Sequence, residues 1–192
     1  MKKIALFASG NGTNFQAIVD AVKEGTLKAH ISLLVCDRPD AYVIERAKKA
    51  NIPYFAFRAK DYSGKEEYES IILEKLKEKN IEFIVLAGYM RLIGPTLLKE
   101  YEGKIVNIHP SLLPAFPGKD AIGQAFEAGV KVSGVTIHYV DEGMDTGPII
   151  AQKAIEIDEN DTRESFEEKI HAIEHELYPK VIQKLLNSQG DK

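Results

Sequence analysis

The sequence has little cysteine and no excess of positive charge. Its one cysteine among 192 residues, Cys36, cannot form a disulfide within the chain, and it ends an apolar run where a thiol acts as a small hydrophobic side chain. The 25 lysines and arginines are outnumbered by 29 aspartates and glutamates, which gives a net charge of −4. We therefore expect a reducing compartment and no nucleic-acid partner, whereas a small anionic ligand is compatible with this composition.

Long apolar runs are also missing. No stretch approaches the roughly 18 apolar residues of a membrane-spanning helix. Residues 1–8 look like the start of a secretion signal, but the apolar part has only five residues, against roughly 7 to 15 in such signals. A hydrophobic fraction of 44% and a charged fraction of 28% are typical of a globular protein. We expect a cytoplasmic protein without a membrane partner, folded as a single domain over 1–192.

The first half alternates between short apolar runs and segments of helical period. After the first run, apolar residues recur at i, i+3, i+4 and i+7 from Phe15 to Val22, and the pattern stops at Gly25. Short apolar strands separated by amphipathic helices are typical of a parallel sheet covered on both faces. The predicted strands are 4–8, 31–36, 54–57, 83–87 and 105–108, and the predicted helices lie around 15–22, 41–50, 68–76 and 95–101.

The second half changes to the two-residue alternation of half-buried strands over 132–140, and another strand is predicted over 148–157. Only the turn-like DEGMDTGP, residues 141–148, separates them, which is too short for a crossover helix and predicts an antiparallel pair. A long helix is predicted from about Thr162. Its apolar stripe consists of Phe166, Ile170, Ile173, Leu177, Val181 and Leu185. The predicted fold is α/β, with a doubly wound, mostly parallel sheet, a C-terminal antiparallel strand pair and a long final helix.

A glycine loop, in FASGNGTN at residues 7–14, follows the first predicted strand. Such a loop lies at the carboxyl edge of a parallel sheet, where the N–H groups of the next helix bind anions. Gly10 and Gly12 fit a dinucleotide-binding pattern with Asp37 as a ribose ligand, but Phe15 stands at the third glycine position. No G-K-[ST] follows, so a triphosphate loop is excluded.

Two interpretations of this loop remain open on its own residues. Gly12, Thr13 and Asn14 form a small set of N–H groups and a hydroxyl, suited to a single phosphate. Alternatively the segment is a plain turn in which Thr13 or Asn14 caps the helix.

Polar side chains with catalytic chemistry follow the later strands. Asn107 and His109, two apart in VNIHPSLLP, point to the same side of their strand. A carboxamide and an imidazole together are suited to holding a carbonyl oxygen and moving a proton. Asp145, on the turn of the antiparallel pair, orients His109 if the two meet, and otherwise it caps the turn. A structural role for His109 remains an alternative, and His138 fits packing as well as chemistry.

A second hypothesis concerns HAIEH at residues 171–175, which matches the H-x-x-E-H pattern of a class of zinc peptidases. A catalytic zinc requires a third protein ligand, and two histidines four apart on a helix are more often solvent-facing or half buried.

Four motifs together resemble those of the phosphoribosylglycinamide formyltransferases, folate-dependent enzymes of de novo purine (IMP) synthesis, and the resemblance covers nearly the whole chain. They are SGNGTN at 9–14, AGYMRLI at 87–93, NIHPSLLPAFPG at 107–118 and GVTIHYVDEGMDTGPII at 134–150. The last two are shared with other enzymes that use 10-formyltetrahydrofolate, and the first narrows the acceptor to a phosphoribosyl amine. The resemblance implies a Rossmann-like formyltransferase domain, two small-molecule substrates and no metal, as a monomer or a homodimer.

The resemblance also implies a role for individual residues. The catalytic residues would be Asn107, His109 and Asp145. The acceptor-binding residues would be Gly12, Thr13, Asn14, Phe15, Gln16 and Glu174, the last of which retires the zinc hypothesis. The folate-binding residues would be Lys65, Met90, Arg91, Leu92, Ile93, Val140, Asp141, Glu142, Gly143 and Met144. The Leu113–Pro114 bond is expected to be cis, and a loop around Gly118, Gly123 and Gly129 is expected to cover the folate. Lys119 and Asp120 depart from the histidines of other members.

Three alternatives stand beside this function. A relative that formylates methionyl-tRNA is expected to have a basic surface and a further C-terminal domain, and the charge of −4 argues against it. A relative that hydrolyses formyltetrahydrofolate has no acceptor phosphate to bind, so GNGTN would be unexplained. A non-catalytic dinucleotide-binding module would leave Asn107, His109 and Asp145 without a role.

Overall fold

A seven-stranded sheet forms the centre of the computed structural model, which describes residues 1–189. The strand order is β3-β2-β1-β4-β5-β6-β7. Pairing is parallel from β3 to β5, and β6 and β7 are antiparallel, as predicted. The strands are β1 Lys2–Ala8, β2 Ala29–Cys36, β3 Tyr54–Ala56, β4 Phe83–Leu86, β5 Ile105–His109, β6 Val132–Tyr139 and β7 Ile149–Glu156.

Helices cover both faces of this sheet. They are α1 Thr13–Glu24, α2 Tyr42–Lys49, α3 Lys65–Glu78, α4 Pro95–Glu100, α5 Ala121–Ala128 and α6 Arg163–Ser188, and a short 3-10 turn spans Ala59–Asp61. Two hydrophobic cores result, one on each face, and β1 contributes to both in alternation: Ile4 and Leu6 to one, Ala5 and Phe7 to the other. Burying a side chain such as Leu6 or Phe7 contributes about 1.5–3 kcal/mol. The continuous apolar runs of the central strands therefore reflect burial on both faces.

The end of β2 also bears out one sequence expectation. Cys36 is fully buried, and burial raises the pKa of its thiol. A protonated, enclosed thiol behaves as a small apolar side chain.

One segment differs from the prediction. Part of the region that was expected to be a glycine-containing loop forms α5, with Asp120 as the N-cap residue and Gly129 as the C-cap residue. The Asp120 carboxylate accepts a hydrogen bond from the Gly123 N–H at 3.3 Å, and a side chain at Gly123 would collide with that carboxylate. Gly123 lies inside α5 because only glycine leaves room for the capping carboxylate of Asp120. A glycine at this position obscured the helical period in the sequence.

The buried face of α6 is rotated slightly from the predicted stripe. Ile173 and Leu177 are only partly buried, whereas Glu174 and Tyr178 lie fully inside. The Tyr178 hydroxyl donates to the carbonyl of Leu86 at 2.7 Å and of Val106 at 3.3 Å. The Tyr178 hydroxyl therefore fixes α6 against β4 and β5.

No helix within residues 1–189 combines the length and the apolar character that crossing a bilayer requires.

Candidate active site

Three residues of the predicted catalytic set converge at the carboxyl end of β5. Asn107 and His109 occupy this strand, and Asp145 approaches from the turn between β6 and β7 with a left-handed backbone, φ 57°. The His109 Nδ1 lies 3.5 Å from the Asp145 Oδ2. His109 is 5% exposed, so this pair is largely shielded from water. Shielding strengthens the electrostatic interaction between an imidazolium and a carboxylate.

Both nitrogens of His109 face acceptors. The Nε2 lies 2.8 Å from the Phe116 carbonyl oxygen, and the Nδ1 faces the Asp145 carboxylate. A carbonyl and a carboxylate accept hydrogen bonds and cannot donate them. Each ring nitrogen therefore lies next to a group that can accept a proton donated in a hydrogen bond.

A fourth residue, His138, joins the set. Its Nδ1 lies 2.8 Å from the Tyr139 carbonyl, so this nitrogen donates. In the neutral ring the Nε2 then accepts, and the Asn107 Nδ2 lies 3.3 Å from it. The same Nε2 lies 3.9 Å from Asp145 Oδ1. The sequence left His138 open between packing and chemistry, and the pairing of Asn107 with His138 across β5 and β6 supplies the contact.

The segment after β5 is fixed by side chains of the antiparallel strands. Thr136 accepts from the Leu113 N–H at 3.0 Å and donates to the Ser111 carbonyl at 2.7 Å, while Gln152 donates to the Leu113 carbonyl at 2.9 Å. The Leu113–Pro114 bond is cis, as expected.

The same segment then returns to the catalytic residues. The Gly118 N–H donates to Asp145 Oδ2 at 2.8 Å, so one carboxylate oxygen receives a backbone hydrogen bond beside His109. Residues 110–118 thereby hold both members of the His109–Asp145 pair.

A cavity of about 470 Å³ opens beside these residues. Asn107, His109, Asp145 and His138 all line it. Of the residues expected to bind folate, Met90, Arg91, Leu92, Ile93, Val140, Asp141, Gly143 and Met144 line it as well. Lys119, Asp120, Arg163 and Glu167 complete its charged part and carried no predicted binding role.

Two predicted folate residues do not line the cavity. Glu142 is exposed to solvent. The Lys65 ammonium donates to the Leu92 carbonyl at 2.6 Å, so it contacts the wall of the cavity from behind. Asp141 is held within its own turn: the Thr146 hydroxyl donates to its Oδ1 at 2.6 Å and lowers the pKa of this carboxyl.

The glycine loop forms the amino end of α1. Gly12 is the residue before the helix, with φ 83°, and a side chain there would collide with Val43. No side chain caps α1. The first N–H groups of the helix are therefore available to an anion, which favours the phosphate interpretation over a capped turn.

Arg46 of α2 braces this loop, and sequence analysis missed it. Its guanidinium donates to the Asn11 carbonyl at 2.7 Å, to the Asn11 side-chain oxygen at 2.6 Å and to Gln16 at 3.4 Å. Arg46 lies 35 residues from Asn11 and 30 residues from Gln16, so no local sequence pattern predicts these contacts.

Glu174 of α6 reaches the glycine loop. Its Oε2 accepts from the Asn14 amide at 3.4 Å, and its Oε1 lies 2.6 Å from His171 Nδ1. No group of three or more histidine, cysteine or acidic side chains that could hold a metal ion occurs within residues 1–189. His171 of the HAIEH pattern is engaged with the Glu174 carboxylate.

The predicted acceptor residues lie outside the lining of the cavity. Thr13 is exposed and Gly12, Asn14 and Gln16 are partly exposed, so they remain accessible. The side chain of Phe15 is fully buried in the hydrophobic core, so a contact between this residue and the acceptor stays a prediction for its backbone. Only the backbone of Phe15 is left for a ligand.

Comparison with known proteins is consistent across sequence and structure. The sequence model described as "Formyl transferase" matches residues 2–182. The chain is 64% identical over 194 residues to the phosphoribosylglycinamide formyltransferase of Bacillus subtilis (strain 168), with all of both chains covered. The crystal structure of glycinamide ribonucleotide transformylase 1 from Geobacillus kaustophilus superimposes with a TM-score of 0.95 at 66% identity, covering 97% of this chain and 99% of that one. For phosphoribosylglycinamide formyltransferase from Bacillus halodurans the TM-score is 0.94 at 60% identity, over 96% of this chain and 95% of the other.

Proposed function

The chain belongs to the formyl transferase family, and on this premise we propose that it is a phosphoribosylglycinamide formyltransferase. It transfers the formyl group of 10-formyltetrahydrofolate to the amine of N1-(5-phospho-D-ribosyl)glycinamide. The products are formylglycinamide ribonucleotide and tetrahydrofolate, in de novo purine synthesis. The observation that carries the proposal is the convergence of Asn107, His109 and Asp145 on the wall of a cavity in a chain 64% identical to an enzyme of that name.

The acceptor is held by its phosphate. The uncapped amino end of α1, from Gly12 to Asn14, offers N–H groups and the positive end of the helix dipole. Glu174, beside Asn14, supplies a carboxylate suited to the hydroxyl groups of the ribose. This anchoring places the glycinamide amine towards the cavity.

The donor occupies the cavity. Met90, Leu92 and Met144 are between 45% and 64% exposed and line it. Exposed apolar side chains at a cavity mouth favour a flat ring system with apolar faces. We assign them to the ring of the folate, with its formyl group beside His109.

The reaction forms one C–N bond and breaks another. The amine nitrogen attacks the formyl carbon, and negative charge develops on the formyl oxygen. The Asn107 amide and the imidazolium of His109 donate hydrogen bonds to that oxygen, which takes the place of the Phe116 carbonyl as acceptor. Collapse of the adduct releases tetrahydrofolate as the amine proton passes to the departing folate nitrogen. Asp145 stabilises the charged ring throughout.

Release of tetrahydrofolate from 10-formyltetrahydrofolate tests the proposal. It is measured with glycinamide ribonucleotide, with water alone and with charged initiator tRNA. We expect release only with the ribonucleotide, in proportion to its formylation. Equal release in water would instead indicate a hydrolase, and release with tRNA would indicate a methionyl-tRNA formyltransferase.

A further inference from the structure

We propose that Asp37 is a positioning residue for the formyl donor, which orients the Arg91 guanidinium at the wall of the donor cavity. This inference rests on the proposed function. Arg91 lines the cavity, whereas Asp37, immediately after β2, does not. The Arg91 Nε donates to Asp37 Oδ2 at 2.8 Å. Asp37 therefore acts on the cavity through Arg91.

The burial of the two partners is unequal. The Asp37 side chain is 2% exposed, and that of Arg91 is 39% exposed. A buried carboxylate is costly unless a cation and hydrogen bonds compensate it. Among residues 1–189, Arg91 is the one hydrogen-bond donor to this carboxylate, and Oδ1 accepts no hydrogen bond. Movement of the guanidinium into solvent would leave a buried charge unpaired, so Asp37 holds the arginine in place.

The backbone on both sides of Arg91 is fixed as well. The Met90 N–H donates to Ser9 Oγ at 2.8 Å, and the Leu92 carbonyl accepts from the Lys65 ammonium at 2.6 Å. The remaining freedom of Arg91 is that of its own side-chain torsions, and the bond to Asp37 restricts them.

The orientation leaves donor capacity for a ligand. A guanidinium carries five N–H donors in a rigid fork, and Asp37 takes the one on Nε. A cation that is already ordered binds an electronegative group at a smaller entropic cost than a mobile one. Loss of Asp37 should therefore weaken donor binding and leave the later chemical step unchanged.

Steady-state kinetics of the full chain, with each substrate varied, test this role. Asp37→Asn keeps an acceptor oxygen and nearly the same shape but removes the charge. We expect the donor KM to rise by about fivefold or more, while kcat and the acceptor KM stay within about twofold. Calorimetric titration with tetrahydrofolate should show the same loss of affinity. An unchanged donor KM in a folded Asp37→Asn protein would overturn the proposal.

A double-variant cycle separates positioning from a general effect. Arg91→Gln should raise the donor KM at least as much as Asp37→Asn. The donor KM of the double variant, Asp37→Asn with Arg91→Gln, should equal that of Arg91→Gln alone within about twofold, because the two residues act as a unit. Effects that multiply would show that Asp37 acts independently of Arg91, and the proposal would be wrong.

Controls address folding and the proposed function. Asp158→Asn removes an aspartate that pairs with Lys169 outside the cavity lining, and it should leave both KM values unchanged. Asp37→Glu keeps the charge and displaces it by one methylene, so it should also raise the donor KM at normal kcat even if the neutral variant unfolds. A wild-type chain without ribonucleotide-dependent release would contradict the proposed function, whereas normal wild-type turnover with unchanged variants would contradict only the positioning role.

Discussion

The donor side and the acceptor side of the proposed site are built by different means. On the donor side, polar side chains are held in place by specific contacts: His109 faces the Phe116 carbonyl and the Asp145 carboxylate, and Asn107 contacts His138. On the acceptor side, the backbone at the start of α1 provides the donors, and no side chain caps them. Chemistry on a carbonyl requires fixed polar side chains, whereas a phosphate requires only a suitably shaped backbone. Substitutions on the donor side should therefore change turnover, and those on the acceptor loop should change acceptor affinity.

The largest effect is expected from Asn107→Ala. Removing one hydrogen-bond donor to a developing oxyanion lowers kcat by about 10²–10³. The acceptor KM should change little, because the glycine loop is untouched. Initial rates at saturating donor and acceptor measure the effect, and Asn160→Ala, an exposed asparagine outside the cavity lining, is the matched control. A kcat within a few-fold of wild type would remove Asn107 from the catalytic set.

A smaller effect, confined to the acceptor, is expected from Gly12→Ala. The backbone at Gly12 has φ 83° and a Cβ there would collide with Val43. Strain of about 1–3 kcal/mol would displace the loop and should raise the acceptor KM on the order of tenfold with the donor KM unchanged. Gly10→Ala is the control, because a Cβ at Gly10 meets no atom within 4 Å. Equal kinetics for the two variants would show that the loop does not bind the acceptor.

A still smaller effect is expected from Tyr178→Phe, which loosens the helix that carries Glu174. The lost hydroxyl donates to the carbonyls of Leu86 and Val106, so the free energy of unfolding should fall by about 1 kcal/mol. The acceptor KM should rise by less than in Gly12→Ala. Urea denaturation measures the change, with Tyr54→Phe, at an exposed tyrosine, as control. Equal stability of the two variants would contradict the anchoring role of Tyr178.

Much of the fold and part of the catalytic set can be predicted from the sequence. The two-residue spacing of Asn107 and His109 predicts their shared face, and the order of strands and helices follows from continuous apolar runs and glycine stops. The four motifs that the family shares identify Asp145, whose contact with His109 no spacing rule predicts.

The contacts of several residues across the fold were missed for a physical reason. Arg46, His138 and the Asp37–Arg91 pair depend on segments brought together by the sheet order, not on a local period. α5 was missed because Gly123, required by the close Asp120 cap, interrupts its helical pattern. For Phe15 the motif gives a position in the binding segment but not the direction of the side chain, which lies in the hydrophobic core.

The smallest effects concern pH, and here two histidines of α6 on the acceptor side should behave oppositely. The hydrogen bond to Glu174 raises the pKa of His171 above its ordinary value of 6.5, whereas burial lowers the pKa of His175. The stabilisation from protonated His171 is fully present below about pH 6.5 and is lost as the pH rises through its folded-state pKa. For His175 the unfolded chain takes up the proton first, so stability falls as the pH drops below about 6.5.

Thermal unfolding of wild type, His171→Gln and His175→Gln from about pH 5 to pH 9 separates the two contributions. As the pH rises, the stability of wild type relative to His171→Gln should fall. Its stability relative to His175→Gln should increase. Because the His171 side chain is 41% exposed, solvent screening keeps its contribution below about 1 kcal/mol. Parallel pH profiles for both variants would show that the Glu174 contact does not distinguish them. Since Glu174 also contacts Asn14, the contribution of His171 to the pH dependence arises beside the acceptor loop.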